Sequence, residues 1–213
     1  MAEKSARERI IDTALALFEK HGYHGVGINK IIEESGTSKG GFYHNFKSKD
    51  ELLYIIHDTF ISYALNTIQN AVEENATPTE QLAEILKTSS ENFTKYKPHQ
   101  TVFYQDHTYL PEAYFNAISI KRDKVRDLIN SVIQDGMEKG EFLPNLPVPI
   151  IGMTIFGMVN WTYKWYKPEG PFTNEEIVTI YADFTLNSLL TEEAKKNYQF
   201  SEFFLKETAA PKK

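Results

Sequence analysis

The stretch from Gly36 to Lys49 concentrates side chains that can contact phosphate oxygens. Its sequence, GTSKGGFYHNFKSK, holds two adjacent glycines, three aromatic residues, one histidine and three lysines. The side chains suited to phosphate oxygens are those of Lys39, Tyr43, His44 and Lys49. The glycine pair beside them lets another backbone approach closely. These residue types together favour contact with a polyanionic backbone.

Two short helices would position these side chains. Gly36 is typical of a helix C-cap, because a residue without Cβ adopts the left-handed conformation at little cost. Thr37 and Ser38 then offer hydroxyl N-caps for a new helix. An apolar-periodic segment precedes this turn, and a longer one begins at Leu52. Two helices joined by so short a glycine-containing turn form a helix-turn-helix.

The second helix of this pair is costly as a purely structural element. Gly40 and Gly41 together lower helix stability by roughly 2 kcal/mol relative to alanine. This favours a recognition helix that lies in the major groove of double-stranded DNA. The alternative is a capped surface turn with solvated lysines. In the DNA interpretation, base contacts come from Asn29, Lys39, Gly40 and Gly41, and phosphate contacts come from Ser38, Tyr43, His44 and Lys49.

The run GTSKGGFYHNFKSKDELL, with GYHGVGINKIIEES before it, resembles the DNA-binding domain of the tetracycline-repressor (TetR) family of bacterial transcriptional regulators. The match covers the N-terminal quarter of the chain. Positions typical of the family are occupied by Phe18, Gly22, Tyr23, Ile31, Gly36, Ser38, Gly40, Tyr43, Phe46, Lys49 and Leu52. The resemblance implies a helical regulator that binds operator DNA.

Two departures from the family pattern affect the expected DNA contacts. Gly41 stands where the family usually has threonine. Val26 and Gly27 stand where it has threonine followed by serine or threonine. Both changes remove hydroxyls that can bond phosphate, so the details of the operator contact are expected to differ.

The composition indicates a cytoplasmic protein. The 213-residue chain has no cysteine, which excludes disulfides and thiolate metal sites. No apolar run reaches the ~18 residues needed to span a bilayer. No apolar signal-peptide region follows the Met-Ala-Glu-Lys start. We therefore expect no membrane partner, and no cofactor or metal site is predicted.

The net charge of −6 is unusual for a protein that binds DNA. Residues 1–47, however, carry seven Lys/Arg and six Asp/Glu, a balance of +1 that leaves −7 for the rest of the chain. Local patches decide phosphate contact more than overall charge does. Lys4, Arg7 and Arg9 can either reach phosphate or remain solvated. A domain this weakly basic is expected to bind through a few well-placed contacts, doubled by dimerisation.

Apolar residues recur at helical spacing along the chain, and no period-2 run indicates a strand. Capping-box patterns predict helix starts at Ser48, Thr77 and Thr173. The helix after Ser48 is predicted to end near Asn75, and the helix after Thr77 near Tyr96. We predict an all-α fold of about nine helices. A three-helix DNA-binding domain spans 1–48, a helical ligand-binding and dimerisation domain spans 49–207, and a disordered tail spans 208–213.

The segment Ile150–Tyr166 is apolar almost all round in its first half, which is typical of a helix buried on several sides. Gly152 and Gly157 allow another helix to approach closely. The TetR resemblance implies that the last two large helices pair with their mates from a second subunit as a four-helix bundle. The alternative is an ordinary monomer core. Recognition of two related half-sites favours the homodimer.

The second half of that segment combines aromatic rings with two lysines, which suits a small-molecule effector with an apolar body and an anionic end. The sequence NWTYKWYKPEGP is similar to a branch of the family whose effectors are acyl-coenzyme A (acyl-CoA) thioesters. The predicted ligand-binding residues are Phe103, Tyr104, His107, Tyr114, Arg122, Phe156, Asn160, Trp161, Lys164 and Trp165. Taken singly, each also fits core packing or a solvated charge.

Three partial matches to enzyme or metal motifs lack the context that they need. The Tyr163–Lys167 spacing has no dinucleotide-binding strand and glycine loop beside it, and the Gly36–Gly41 spacing lacks the Lys-Ser/Thr of a P-loop. Asp106 and His107 have no third metal ligand nearby. We therefore predict that the protein is not an enzyme.

Two functions remain. The first is a ligand-responsive homodimeric repressor, released from its operator by a small hydrophobic or acyl-CoA effector. The second is a DNA-associated structural or division-linked protein on the same fold, without a small-molecule effector. The aromatic-rich second domain favours the first.

Overall fold

A computed structural model of the protein describes residues 4–89 and 94–197. These ranges contain ten α-helices and no strand, and an isolated bridge joins Phe142 to Leu190. The all-α prediction is confirmed, with one helix more than expected. The helices are α1 Ala6–His21, α2 Ile28–Glu34, α3 Lys39–Asn45, α4 Lys49–Glu74, α5 Pro78–Thr88, α6 Lys97–Asp106, α7 Glu112–Glu138, α8 Val148–Trp165, α9 Asn174–Leu189 and α10 Glu192–Lys195. The tail predicted over 208–213 lies outside the described residues.

Side-chain caps define most of the helix starts. Reciprocal capping boxes open α1, α5 and α9 with the pairs Ser5–Glu8, Thr77–Glu80 and Thr173–Glu176. At the start of α4 only half of the predicted box forms. The Ser48 hydroxyl accepts the Glu51 N–H at 3.1 Å, while the Glu51 carboxylate accepts the backbone N–H of Lys47 at 2.5 Å. The predicted start of α4 is therefore correct, but the Glu51 carboxylate bonds the backbone N–H of Lys47 instead of that of Ser48.

Helix α5 ends earlier than the sequence predicts. It stops at Thr88, and Thr94–Tyr96 form a turn before α6. The Thr88 hydroxyl donates to the Glu84 and Ile85 carbonyls, and the Ser89 hydroxyl donates to the Leu86 carbonyl. Such local hydroxyl bonds compete with the helical backbone pattern, which explains a stop that the apolar periodicity missed.

The chain divides into two compact units. One comprises Met1–Tyr63 with Tyr96–Arg122, and the other comprises Ala64–Lys95 with Asp123–Lys213. The long helices α4 and α7 each contribute residues to both units. Helix α4 has 26 residues, which corresponds to roughly 39 Å at 1.5 Å per residue. The predicted functional boundary between residues 48 and 49 stays a prediction.

The core of the first unit is built on α1, which packs against α2, α3 and α6. The buried residues of α1 recur at helical spacing. The Phe42 ring of α3 and the Phe46 ring just after α3 complete this buried cluster. The fully buried members include Ile10, Ala14, Phe18, Ile31, Phe42 and Phe46. This core holds one side of α3 and leaves its other side exposed.

In the second unit α9 packs against α5 and α8. Tyr166, Ile177 and Val178 form a buried cluster there. Gly136 has no room for a side chain, because a Cβ would lie 2.2 Å from the Phe142 ring. Within the described part of the chain, no helix is both long and apolar enough to cross a membrane.

Candidate DNA-binding site

The turn between α2 and α3 is closed by backbone geometry that only a glycine adopts easily. Gly36 has a φ of +62°. The Thr37 N–H donates to the Ile32 carbonyl and the Gly36 N–H to the Glu33 carbonyl, both at 3.2 Å. This is a Schellman motif, the C-cap expected from the sequence. It ends α2 and sets the direction in which α3 begins.

Helix α3 begins at a serine cap. The Ser38 hydroxyl accepts the Gly41 N–H at 3.0 Å. The Thr37 hydroxyl instead lies 2.9 Å from the Ser35 hydroxyl. Of the two caps that the sequence offered, the structure uses Ser38. The Ser38 hydroxyl therefore fixes the start of α3 and is also exposed to solvent.

The two sides of α3 differ in burial. Phe42 is fully buried, whereas Tyr43 is 48% exposed. Lys39, Gly40 and His44 are also exposed, and Gly41 is half-buried. The Phe42 and Tyr43 rings meet edge to face at 5.3 Å, which limits the orientations of Tyr43. The predicted contact residues of α3 thus share an accessible surface.

The two glycines of α3 have different surroundings. A Cβ on Gly40 would meet nothing closer than the Ser38 hydroxyl at 3.9 Å, so packing within the protein does not require a glycine there. A Cβ on Gly41 would lie 3.3 Å from the same hydroxyl, which is tight. Gly40 therefore leaves open space on the exposed side of α3, while Gly41 preserves the cap.

Asn29 lies exposed on α2, one residue after the helix begins. The N-cap of α2 is Gly27, which makes no side-chain cap. The absence of the hydroxyl residues that the family usually has here therefore leaves this helix start without a side-chain acceptor.

The ammonium of Lys49 is directed into the protein. Its Nζ donates to the carbonyl oxygens of Tyr23 and Val26, both at 2.9 Å. It also lies 4.0 Å from the centroid of the Tyr23 ring. Burial lowers the pKa of Lys49. Two of its three N–H donors are thus used internally, and the predicted phosphate contact stays a prediction.

Sequence reasoning missed the polar cluster around Tyr23. The Tyr23 hydroxyl donates to the Asp50 carboxylate, and burial together with that bond raises the pKa of Tyr23. The buried Asp106 carboxyl lies near the Tyr23 backbone, and burial raises the pKa of Asp106. The Tyr109 ring stacks on Tyr23 at 6.0 Å and meets His24 at 4.1 Å. Residues far apart in the chain thereby join the loop after α1 to the end of α6.

The basic residues at the start of α1 make internal contacts. Arg9 donates to the carbonyls of Ser35, at 3.3 Å, and Lys4, at 2.9 Å. Arg7 lies over the Phe46 ring at 5.6 Å. The Lys4 ammonium pairs with Asp12 at 2.7 Å. Arg9 therefore holds the N-terminus of α1 against the end of α2.

Five predicted ligand residues lie in the first unit. Phe103 is buried, with its ring 5.2 Å from His57 and 5.1 Å from Phe60. Tyr114 stacks on Tyr54 at 4.5 Å. Tyr104 and His107 are half-buried, and Arg122 is exposed. Burial of His57 lowers its pKa to about 4, and this histidine was not selected from the sequence.

The other five lie on α8 in the second unit. Phe156 and Asn160 are half-buried, while Lys164 and Trp165 are exposed. Trp161 is 62% exposed. The buried side of α8 instead carries Gly152, Ile155, Thr162 and Tyr163. Whether these ten residues bind an effector stays a prediction.

No group of three or more His, Asp or Glu residues in the described ranges is placed to hold a metal ion. Phosphate and base contact is the chemistry that the exposed surface of α3 best supports.

Two family models cover most of the chain. The model of bacterial regulatory proteins of the tetR family matches residues 10–54. The model of the tetracyclin repressor-like C-terminal domain matches residues 75–189. The chain belongs to the TetR family. It is accordingly a DNA-binding helix-turn-helix transcriptional regulator and not an enzyme.

Individual relatives of this TetR-family protein match over nearly their full length. The transcriptional repressor KstR2 of Mycobacterium tuberculosis is 26% identical over 190 residues, covering 88% of this chain and 94% of the relative. The structure of PfmR from Thermus thermophilus is 27% identical with a TM-score of 0.78, covering 86% of this chain and 100% of that one. AibR, solved with isovaleryl coenzyme A and operator DNA, is 23% identical with a TM-score of 0.76, covering 87% and 98%.

Proposed function

We propose that this TetR-family protein is a homodimeric repressor that a small hydrophobic or acyl-CoA effector releases from operator DNA. The observation that carries this proposal is the arrangement of α3. Its apolar side is anchored by Phe42, while Lys39, Gly40 and Tyr43 are presented to solvent. A helix held in this way can enter a major groove without losing its own packing.

The roles of the surface residues follow from their positions. Lys39 and Gly40 lie at the start of α3, where recognition helices approach base edges, and Asn29 reaches the same groove from α2. Tyr43 and His44, one turn later, contact the phosphates beside the groove. Three further residues complete the proposed set of DNA contacts. They are Gly41, Ser38, whose hydroxyl also caps the helix, and Lys49, which has one remaining N–H.

Homodimerisation is supported by an exposed apolar surface on α8 and α9. Its α8 residues recur at spacings of three and four, which places them on one side of the helix. They continue onto α9, where Phe184 is 66% exposed. The surface comprises Ile150, Met153, Gly157, Trp161, Ile180 and Phe184. Monomeric proteins rarely expose contiguous apolar surface of this kind, and a second copy would bury it.

The proposed effector class rests on composition and on relatives. Within the second unit, the predicted ligand residues Phe156, Trp161 and Trp165 supply aromatic rings for an apolar body, and Lys164 offers a cation for an anionic end. The related AibR binds isovaleryl coenzyme A in its solved complex. Because α4 begins at Lys49 and extends to Glu74, its displacement would change the spacing of the two recognition helices. A coupling of about 1–3 kcal/mol corresponds to a 5–150-fold change in operator affinity.

The experiment begins with genomic footprinting to find an operator. Fluorescence anisotropy then measures its affinity for wild-type protein and for Tyr43→Ala, with and without a panel of acyl-CoA thioesters. We expect Tyr43→Ala to weaken binding to every DNA sequence while the fold is retained. Phe172→Ala, which removes another exposed ring, should leave binding unchanged.

Thioesters should lower operator affinity and raise the melting temperature, because a ligand at one hundred times its dissociation constant stabilises by about 2.7 kcal/mol. If the protein binds its operator but no thioester changes its operator affinity or its melting temperature, the result would instead favour the structural or division-linked alternative.

A further inference from the structure

The cations around the helix-turn-helix differ in whether the protein already uses their hydrogen-bond donors. The Lys4 ammonium pairs with the Asp12 carboxylate at 2.7 Å. Arg9 donates to the backbone carbonyls of two residues, and Lys49 also donates to two carbonyls. These three cations are therefore largely occupied within the protein.

Two further cations, Arg7 and Lys47, keep all of their side-chain donors free. Both residues are exposed, and neither side chain forms a hydrogen bond or an ion pair with any residue in 4–89 or 94–197. A guanidinium has five N–H donors and an ammonium has three. All of these donors remain available to an acceptor outside the chain.

One buried ring relates the positions of these two cations. Phe46 is the C-cap of α3, and its side chain is buried in the core of the first unit. The Arg7 guanidinium lies 5.6 Å from the centroid of the Phe46 ring. Lys47 is the next residue along the chain, and consecutive Cα atoms are about 3.8 Å apart. Phe46 therefore joins the start of α1 to the junction between α3 and α4, and each of these two segments carries a free cation.

The carboxylates nearby in the sequence bond to other groups. Glu8 accepts the backbone N–H and the hydroxyl of Ser5, both at 2.8 Å. Glu51 accepts the backbone N–H of Lys47 at 2.5 Å. Across the described part of the chain, no carboxylate lies within ion-pair distance of the Arg7 guanidinium or the Lys47 ammonium. The positive charge of both side chains is therefore not neutralised by a close partner.

The position of these cations relative to α3 suits the phosphate backbone of DNA. Helix α3 ends at Asn45, so Lys47 lies two residues beyond the end of the proposed recognition helix. Residues at that end of a recognition helix contact the backbone that borders the major groove. The cation–π contact positions the Arg7 guanidinium without using any N–H, and its planar fork of donors matches phosphate oxygens.

We propose that Arg7 and Lys47 bind phosphates of the operator backbone beside the end of α3, in addition to the contacts already assigned to α2, α3 and Lys49. This inference rests on the proposed operator binding. Because phosphates carry no sequence information, the two cations contribute affinity and fix the orientation of α3 without selecting between DNA sequences.

The salt dependence of binding by the full-length protein tests this role. Fluorescence anisotropy measures dissociation constants for the footprinted operator and for an unrelated duplex of equal length, between roughly 50 and 200 mM salt. Each phosphate contact releases counterions and adds about 0.9 to the slope of log affinity against log salt. We expect Arg7→Gln and Lys47→Gln each to lower the slope by about this amount per protein copy. Each should also weaken binding to both duplexes about fivefold or more at about 0.1 M salt.

Two control variants separate the position of the charge from the loss of charge. Lys20→Gln removes an exposed lysine near the other end of α1 and should keep the wild-type affinity and slope. Lys47→Arg keeps a cation at the junction between α3 and α4 and should also bind like wild type. If Arg7→Gln lowers the melting temperature because it uncovers Phe46, Lys47→Gln at its exposed position still decides the proposal.

Wild-type slopes and affinities in both glutamine variants, while Tyr43→Ala still weakens operator binding, overturn this proposal and leave the operator-binding function standing. A loss of affinity confined to the operator duplex also overturns it, because the cations would then read bases. A wild-type protein that binds neither duplex overturns the proposed function and these phosphate contacts together. The failure of the proposal and the failure of the function are therefore distinguishable.

Discussion

The ammonium of Lys49 lies 4.0 Å from the centroid of the Tyr23 ring while it donates to the Tyr23 and Val26 carbonyls. Lys49 is the first residue of α4, and Tyr23 follows the end of α1. One side chain therefore ties the loop before α2 to the beginning of the long helix. Hydrogen bonds from a charged group contribute about 1.5–3 kcal/mol, more than neutral ones.

Replacing this tie should weaken the fold. We expect Lys49→Met to lower the free energy of unfolding by about 1–3 kcal/mol, because two buried carbonyls lose their charged donor. Urea denaturation followed by circular dichroism measures the change. Lys47→Met, at an exposed neighbouring lysine, serves as the control and should leave stability unchanged. Wild-type stability combined with lost operator affinity would instead support a purely phosphate-binding Lys49.

Gly40 should separate stability from DNA binding. An added methyl group meets no atom of the protein closer than 3.9 Å, and alanine favours a helix by about 1 kcal/mol over glycine. We therefore expect Gly40→Ala to raise the melting temperature and to weaken operator binding in anisotropy titrations. Asn66→Ala, at an exposed position of α4, is the control that should keep affinity. Full operator affinity in Gly40→Ala would show that DNA does not approach this glycine.

A charge in the exposed apolar surface should prevent self-association. Phe184→Arg places an unpaired charge where the proposed dimer is apolar, and such a charge is costly to bury. Analytical ultracentrifugation should show a monomer, and operator affinity should fall because the second half-site is lost. Thr179→Arg adds the same charge to another exposed side of α9 and should leave the dimer intact. A dimeric Phe184→Arg protein would place the interface elsewhere.

The buried His57 makes stability depend on pH. Its folded-state pKa of about 4 lies below the ordinary 6.5, so the unfolded chain takes up the proton first as the pH falls. The stability that comes from keeping His57 neutral and buried is fully present above pH 6.5 and is lost progressively as the pH falls from 6.5 to 4. The loss amounts to at most about 3 kcal/mol by linkage.

Urea unfolding across that pH range measures the effect. We expect His57→Phe to show a shallower decline than wild type, since phenylalanine has no proton to gain. His21→Ala, at an exposed histidine, should retain the wild-type decline. Identical slopes for wild type and His57→Phe would mean that His57 is protonated equally in both states.

The local sequence determined the helix-turn-helix and most helix starts. Gly36 imposes the left-handed C-cap, Ser38 supplies the next N-cap, and Phe42 recurs on the apolar side, all within a few residues of one another. The TetR pattern could be identified for the same reason, because these requirements are met by neighbours in the chain.

The tertiary structure decided where the longer side chains point and what they contact. Lys49 was assigned to phosphate from its residue type, yet its ammonium bonds carbonyls more than twenty positions earlier in the chain. Gln100 is fully buried, which its residue type does not predict, because its burial depends on how the helices pack. Asp106, considered for a metal, is buried near the backbone of the distant Tyr23. Caps and periodicity act over one or two helical turns, whereas the partner of a buried polar group is set by which helices pack together.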